Sequence, residues 1–153
     1  MIHIIGEDPF IRNVISTVSV FLSRRCREFE SADSYRLYLG GDAFIPPEIV
    51  FSNLGMSETM DSGIIPIVKL CNPEVKFVLM KDCFAQAADQ SSIENSAEYL
   101  VDHTFQKPFN VKKLMEYVHR HSHHMGSFTA TMQKPVRVSF TGTTEFPASF
   151  RSL

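Results

Sequence analysis

Tryptophan is missing from the 153 residues, and cysteine occurs only as Cys26, Cys71 and Cys83. An odd number of cysteines with no CxxC pair excludes a disulfide scaffold and removes the usual zinc-ligand spacing. Free thiols in a reducing cytoplasm are therefore expected. Neither sign of charge dominates: 15 Lys and Arg against 17 Asp and Glu leave a formal net charge of −2. That balance gives no electrostatic case for nucleic acid or an anionic membrane as partner. Long apolar runs are also absent. The longest, at 2–5, 18–22 and 64–68, fall far short of the ~20 residues of a membrane span. No basic n-region precedes an apolar h-region, so a secretory signal is not expected. What remains is the composition of one compact globular domain with a tail, since 44% of residues are hydrophobic and can form a core.

The first 120 residues alternate short β-type runs with longer helical patterns. Residues 2–5 predict a strand ended by Gly6. Over 10–25, Ile11, Val14, Ile15, Val18, Phe21 and Leu22 follow helical i, i+3, i+4, i+7 spacing, and Pro9 suits the first turn. A weak strand near 27–30 leads to a short helix over 32–39, closed by Gly40-Gly41. Ile49, Val50 and Phe51 make 48–53 a central strand, because a strand buried on both faces reads as a continuous apolar run. A helix over 64–71 has Pro66 near its first turn and stops at Asn72-Pro73. Residues 75–81 form the next buried strand. Helical spacing returns at Ile93, Ala97 and Leu100, a last strand covers 103–106, and Asn110 caps a final helix with Val111, Leu114, Met115 and Val118 on its apolar face. Five strands alternating with five helices predict an α/β fold, a doubly wound parallel sheet with helices on both faces.

Residues 123–153 lie outside this alternation. Val136, Val138 and Phe140 alternate with Arg137 and Ser139, but the rest is polar. The chain is thus expected to divide into a domain over 1–122 and a tail over 123–153, disordered or opening a further module. His119, His121, His123 and His124 crowd the end of the last helix. Imidazoles suit transition metals, but the run lacks Cys or Asp partners. Cations are in any case favourable at a helix C-terminus, so no metal site is expected there. Ser57 and Thr59 are expected as exposed loop hydroxyls.

In open parallel sheets, chemistry gathers beyond the carboxyl ends of the strands. Those positions hold Glu7-Asp8 after the first strand, Asn53 to Met56 after the third, Lys81-Asp82 after the fourth and Lys107-Pro108 after the fifth. An adjacent acidic pair is a ready ligand set for a hard cation. The proline is expected to fix a tight turn, with a cis bond an option, that aims the Lys107 ammonium at the site.

These motifs together resemble the receiver domain of two-component response regulators. Glu7-Asp8-Pro9-Phe10-Ile11-Arg12 resembles the acidic pair and first helix start. The run from Pro47 to Met56 resembles the third strand, with Asn53 at the phospho-acceptor position. Asp61-Ser62-Gly63 looks like a disturbed Asp-Gly before the third helix. The run from Asn72 to Lys81 resembles the approach to the fourth strand's end, and Lys107-Pro108-Phe109 the final lysine motif. The resemblance covers about residues 1–120. It implies a flavodoxin-like sheet of order 2-1-3-4-5, and a site in which an aspartate attacks a phosphoryl group beside Mg²⁺ held by the acids.

This chain departs from that pattern at three places. Asn53 is an amide, a poor nucleophile and a weaker cation ligand than a carboxylate. Lys81 stands where a hydroxyl residue is expected, and Met80 beside it has none either. The switch aromatic is replaced by Thr104. The resemblance therefore implies a degenerate pseudo-receiver that uses no cofactor or metal, catalyses nothing, and signals by protein contact. That contact, with a signalling partner or a second copy, is expected through the fourth helix, fifth strand and fifth helix, roughly residues 93–119. Lys81 or Lys107 is expected within salt-bridge reach of Glu7 or Asp8, neutralising an acidic pocket. Two alternatives stay open: a regulator phosphorylated at a substitute acceptor, Asp61 or Asp82, and a flavin- or nucleotide-binding enzyme on the same architecture. The second is opposed by Glu7-Asp8, two negative charges where phosphate would be cradled.

Overall fold

The computed structural model describes residues 1–55, 58–59, 62–82 and 100–122. Five strands form one sheet: β1 Ile2–Ile5, β2 Cys26–Phe29, β3 Ile49–Ser52, β4 Lys76–Asp82 and β5 His103–Lys107. Their order is β2-β1-β3-β4-β5, and every neighbouring pair is parallel. The described helices are α1 Pro9–Phe21, α2 Ala32–Leu39, α3 Ile64–Cys71 and α4 Val111–His121. The helix expected around Ile93 and Ala97 and the tail over 123–153 lie outside the described residues, so α4 is the last of the five helices expected.

The three central strands explain why their sequences are apolar without alternation. Successive side chains point to opposite faces. Ile2 and Ile4, Ile49 and Phe51, Val78 and Met80 pack on one face against Ile11, Ile15 and Val18 of α1 and Leu114 and Val118 of α4. Ile5, Val50, Phe77 and Leu79 pack on the other against Tyr35 of α2 and Ile64, Ile65 and Val68 of α3. Each fully buried large aliphatic side chain contributes about 1.5–3 kcal/mol, so the register of these strands is strongly fixed. A shift by one residue would exchange the two faces.

Local signals set the helix ends. Ser31 and Ser34 form a reciprocal capping box at the start of α2, and Asn110 accepts from the Lys112 and Lys113 amides at 2.8 and 3.4 Å, as expected. Helix α1 stops at Phe21 rather than running on to 25. Ser23 adopts φ 57°, its amide bonds to the Val20 carbonyl, and the Arg24 amide reaches back to the Ser19 carbonyl, both at 2.8 Å. This is a Schellman closure built without the usual glycine. Strand β2 begins one residue earlier than its sequence suggests, and β4 runs one residue further, to Asp82.

Facing α2, His3 of β1 is fully buried. Its Nδ1 lies 2.9 Å from the Tyr35 hydroxyl, and Phe29, Tyr38 and Phe44 also pack edge-on to its ring. Nε2 has no hydrogen-bond partner. Burial, assisted by the N-terminal ammonium and Arg27, lowers the imidazole pKa to about 3.

Candidate functional site

All five strands are parallel, so their carboxyl ends share one edge of the sheet, where Gly6, Asn53, Asp82 and Lys107 come together. Asn53 follows β3 directly. Its amide bonds to the Ile5 carbonyl at 2.7 Å, and the Gly6 amide bonds to the Phe29 carbonyl at 3.0 Å. These two bonds continue the ladder past β1 and bring Gly6 against Asn53. A Cβ on Gly6 would stand 2.6 Å from the Asn53 Cβ, and Gly6 has φ +149°. Only glycine fits both restraints. Asn53 Oδ1 is buried without a hydrogen-bond partner. Arg12 of α1 donates from Nη1 to the Gly6 carbonyl and lies 3.7 Å from Glu28 and 3.9 Å from Glu30, tying the ends of β1 and β2 to α1.

The two acids expected to act together are placed apart. Asp8 is the N-cap of α1, its carboxylate accepting from the Phe10 amide at 2.9 Å and the Ile11 amide at 3.3 Å. Glu7 is exposed. Neither forms an ion pair with a described residue, which corrects the expectation that Lys81 or Lys107 would neutralise them. The reason lies in the strand register. Asp82 sits directly opposite Lys107 in the β4–β5 pair, and the Lys107 ammonium lies 3.4 Å from its carboxylate. Lys81 is half-buried on β4 with Gln106 beside it on β5.

The loop after β3 differs from expectation too. Thr59 is fully buried rather than exposed, its hydroxyl 3.3 Å from that of Ser52. The Ser52 hydroxyl in turn accepts from the Leu54 amide at 3.3 Å, so the chain turns sharply after Asn53. Ser57 and Asp61 lie outside the described residues. Thr104 is exposed on β5 opposite Leu79. Lys107-Pro108 is a cis bond, which the lysine-proline pair left open.

A hard divalent cation takes about six oxygens and prefers carboxylates. The strand ends present the Asn53 amide oxygen and the exposed carboxylates of Glu7 and Asp82, the latter held by Lys107. Asp8 is turned into its helix, and residue 6 has no side chain. This set does not fit Mg²⁺. Among the described residues, no three His, Cys, Asp or Glu side chains assemble as metal ligands, and no helix is long and apolar enough to cross a membrane.

Sequence reasoning gave no part in the site to Gly6, Arg12 or the Ser52–Thr59 pair. Gly6 carried a signal, since a glycine closing a buried strand marks a close backbone approach. The other contacts depend on the fold. A second cluster missed in sequence lies at the β5 edge. His103 stacks on Tyr117 of α4, with ring centroids 4.9 Å apart and planes 20° apart, and His121 packs on the same tyrosine at 4.4 Å. Asp102, just before β5, accepts from Lys69 and the Phe77 amide at 2.9 and 2.8 Å and pairs with Lys76 at 3.4 Å. Burial alone would raise its pKa, but these bonds and charges hold it below the usual carboxylate range.

No family model and no curated protein matches the chain. Solved structures do. The receiver domain of NtrX from Brucella abortus is 20% identical with a TM-score of 0.55, over 78% of this chain and 96% of that one. A response regulator receiver protein from Pseudomonas putida is 16% identical with a TM-score of 0.58, over 78% and 94%. An adenylate cyclase from Rhodopirellula baltica is 14% identical with a TM-score of 0.59, over 78% and 84%. At these identities the likeness concerns architecture, and the chain has the flavodoxin-like fold of response regulator receiver domains.

Proposed function

We propose that this chain is a receiver-like signalling module that works by protein contact, without an aspartyl phosphate. One observation carries the reading: the charged groups at the strand ends are committed to other partners, Asp8 capping α1 and Lys107 pairing with Asp82, while the acceptor position holds the amide Asn53. A phosphoryl cycle needs a carboxylate nucleophile and a cation to offset charge on the transferring group. In a module of this kind β5 and α4 present the docking surface, together with the helix expected around Ile93. The tail over 123–153 is a separate segment, and no enzymatic step is assigned. A cytoplasmic setting agrees with the free Cys26 and Cys71.

Incubation with acetyl phosphate or beryllofluoride, followed by intact mass and amide NMR, tests the reading. No mass gain and no shift at residues 53, 54 and 107 is the expected result. Stoichiometric labelling overturns it. A second reading has one observation in its favour: Asp82 is an exposed carboxylate with a lysine at 3.4 Å, an arrangement that suits a phosphorylated aspartate. Labelling lost in Asp82→Asn but retained in Asn53→Ala would establish it.

A further inference from the structure

We propose that His103, Tyr117 and His121, at the edge formed by β5 and α4, are the docking site for an acidic segment of a partner protein, bound with uptake of a proton. The inference rests on the reading above, that the chain acts by protein contact, and names the partner's chemistry and its regulation.

Tyr117 is in contact with two imidazoles, His103 stacked on it at 4.9 Å and His121 against it at 4.4 Å, with Phe105 edge-on to His103 at 4.7 Å. Rings held this way form a preorganised surface that loses little entropy on binding. His103 is exposed, and Tyr117 and His121 are half-buried, so the cluster is open to solvent. The charges around it are one-sided. Lys76 from β4, Arg120 from α4 and His103 from β5 all face His121, and the one acid facing it is Asp102. The Asp102 carboxylate is already taken by Lys69, Lys76 and the Phe77 amide. Glu116 is the one acid on α4, and it is exposed. With Lys69, Lys76 and Arg120 set against Asp102 and Glu116, this face keeps a small positive excess although the whole chain carries a net charge of −2.

Such a face selects an acidic partner by charge complementarity. Burial, with Lys76, Arg120 and His103, lowers the His121 pKa against the pull of Asp102, so the free protein keeps this imidazole neutral at neutral pH. A carboxylate brought alongside favours the protonated ring. Docking and proton uptake are then linked, and affinity rises as pH falls through the range in which histidine gains its charge.

The test uses the full chain and two fluorescein-labelled peptides of equal length, one alternating Glu and Leu, the other Lys and Leu. Anisotropy is followed at pH 8, 7 and 6 at constant ionic strength, with amide NMR to map the site. The acidic peptide is expected to bind about tenfold tighter at pH 6 than at pH 8, as an average uptake of about half a proton across those two units gives, and to shift amides in 103–107 and 111–121. His103→Gln with His121→Gln is expected to reduce that ratio below twofold; each single variant, which disturbs the stack less, is expected to reduce it in part. Equal binding of the basic peptide, binding of neither, shifts confined to other surfaces, or an unchanged ratio in the variants overturns the proposal. Phosphodonor labelling is measured separately, so the two readings fail independently.

Discussion

Acidification should weaken this fold through His3. In the folded protein the ring is fully buried, with the Tyr35 hydroxyl on Nδ1 and no partner on Nε2. Its pKa falls from 6.5 to about 3. Between those values the unfolded chain binds a proton that the folded chain refuses. Stability from the neutral ring is therefore complete above pH 6.5 and drains away as pH drops toward 3. Each pKa unit corresponds to ~1.36 kcal/mol, so this group alone removes about 2 kcal/mol by pH 5 and about 4 kcal/mol by pH 3. Urea unfolding at pH 7.5 and pH 5.0 measures the loss. His3→Asn supplies the control, because an amide can still meet the Tyr35 hydroxyl and does not titrate. The variant starts less stable through lost ring packing, but it should lose about 2 kcal/mol less than the parent between the two pH values. The other histidines are common to both proteins and cancel in the difference. Equal losses in the parent and His3→Asn would refute the reasoning.

Gly6→Ala should destabilise the fold by about 1–3 kcal/mol, since the new Cβ meets the Asn53 Cβ and the positive φ disfavours alanine; a shift in the urea midpoint checks it. Asp8→Ala should cost about 1 kcal/mol as a lost N-cap, whereas Glu7→Ala on the exposed neighbour should change the midpoint by less than ~0.5 kcal/mol. Asp102→Asn should lower stability by about 1–3 kcal/mol at pH 7. Because its folded pKa is depressed, the difference between Asp102→Asn and the parent should shrink as pH falls below the usual carboxylate range, which denaturation at pH 7 and pH 3 measures.

The sheet was legible because β1, β3 and β4 are buried on both faces and must be apolar at nearly every position. The helix starts with side-chain caps were legible for a similar reason, as Asn110 shows. The end of α1 was not, since Ser23 enters the left-handed region where glycine is the usual sign. At the candidate site, the residues at the strand ends could be named, but their partners could not. Asp8 looks the same in sequence whether it faces a pocket or caps a helix. Lys107 finds Asp82 only through the β4–β5 register, which places residues 25 apart side by side. Thr59 reads as a loop hydroxyl, and its burial follows from a turn that brings it back to Ser52.

The contact between Gly6 and Asn53 also bears on how this chain can change over generations. With 2.6 Å between the Asn53 Cβ and any Cβ placed at residue 6, the two positions are not independent. A side chain gained at residue 6 is penalised until the backbone near residue 53 has moved, and nothing favours that movement while residue 6 is glycine. Additivity fails for residues in direct contact, so paths that alter both must cross a less stable intermediate. Residue 53 can exchange its amide for a carboxylate of the same shape in a single step, but residue 6 has no comparable step. The contact acts as a one-sided constraint: it holds residue 6 as glycine, while the part of the residue 53 side chain beyond its Cβ stays open to change.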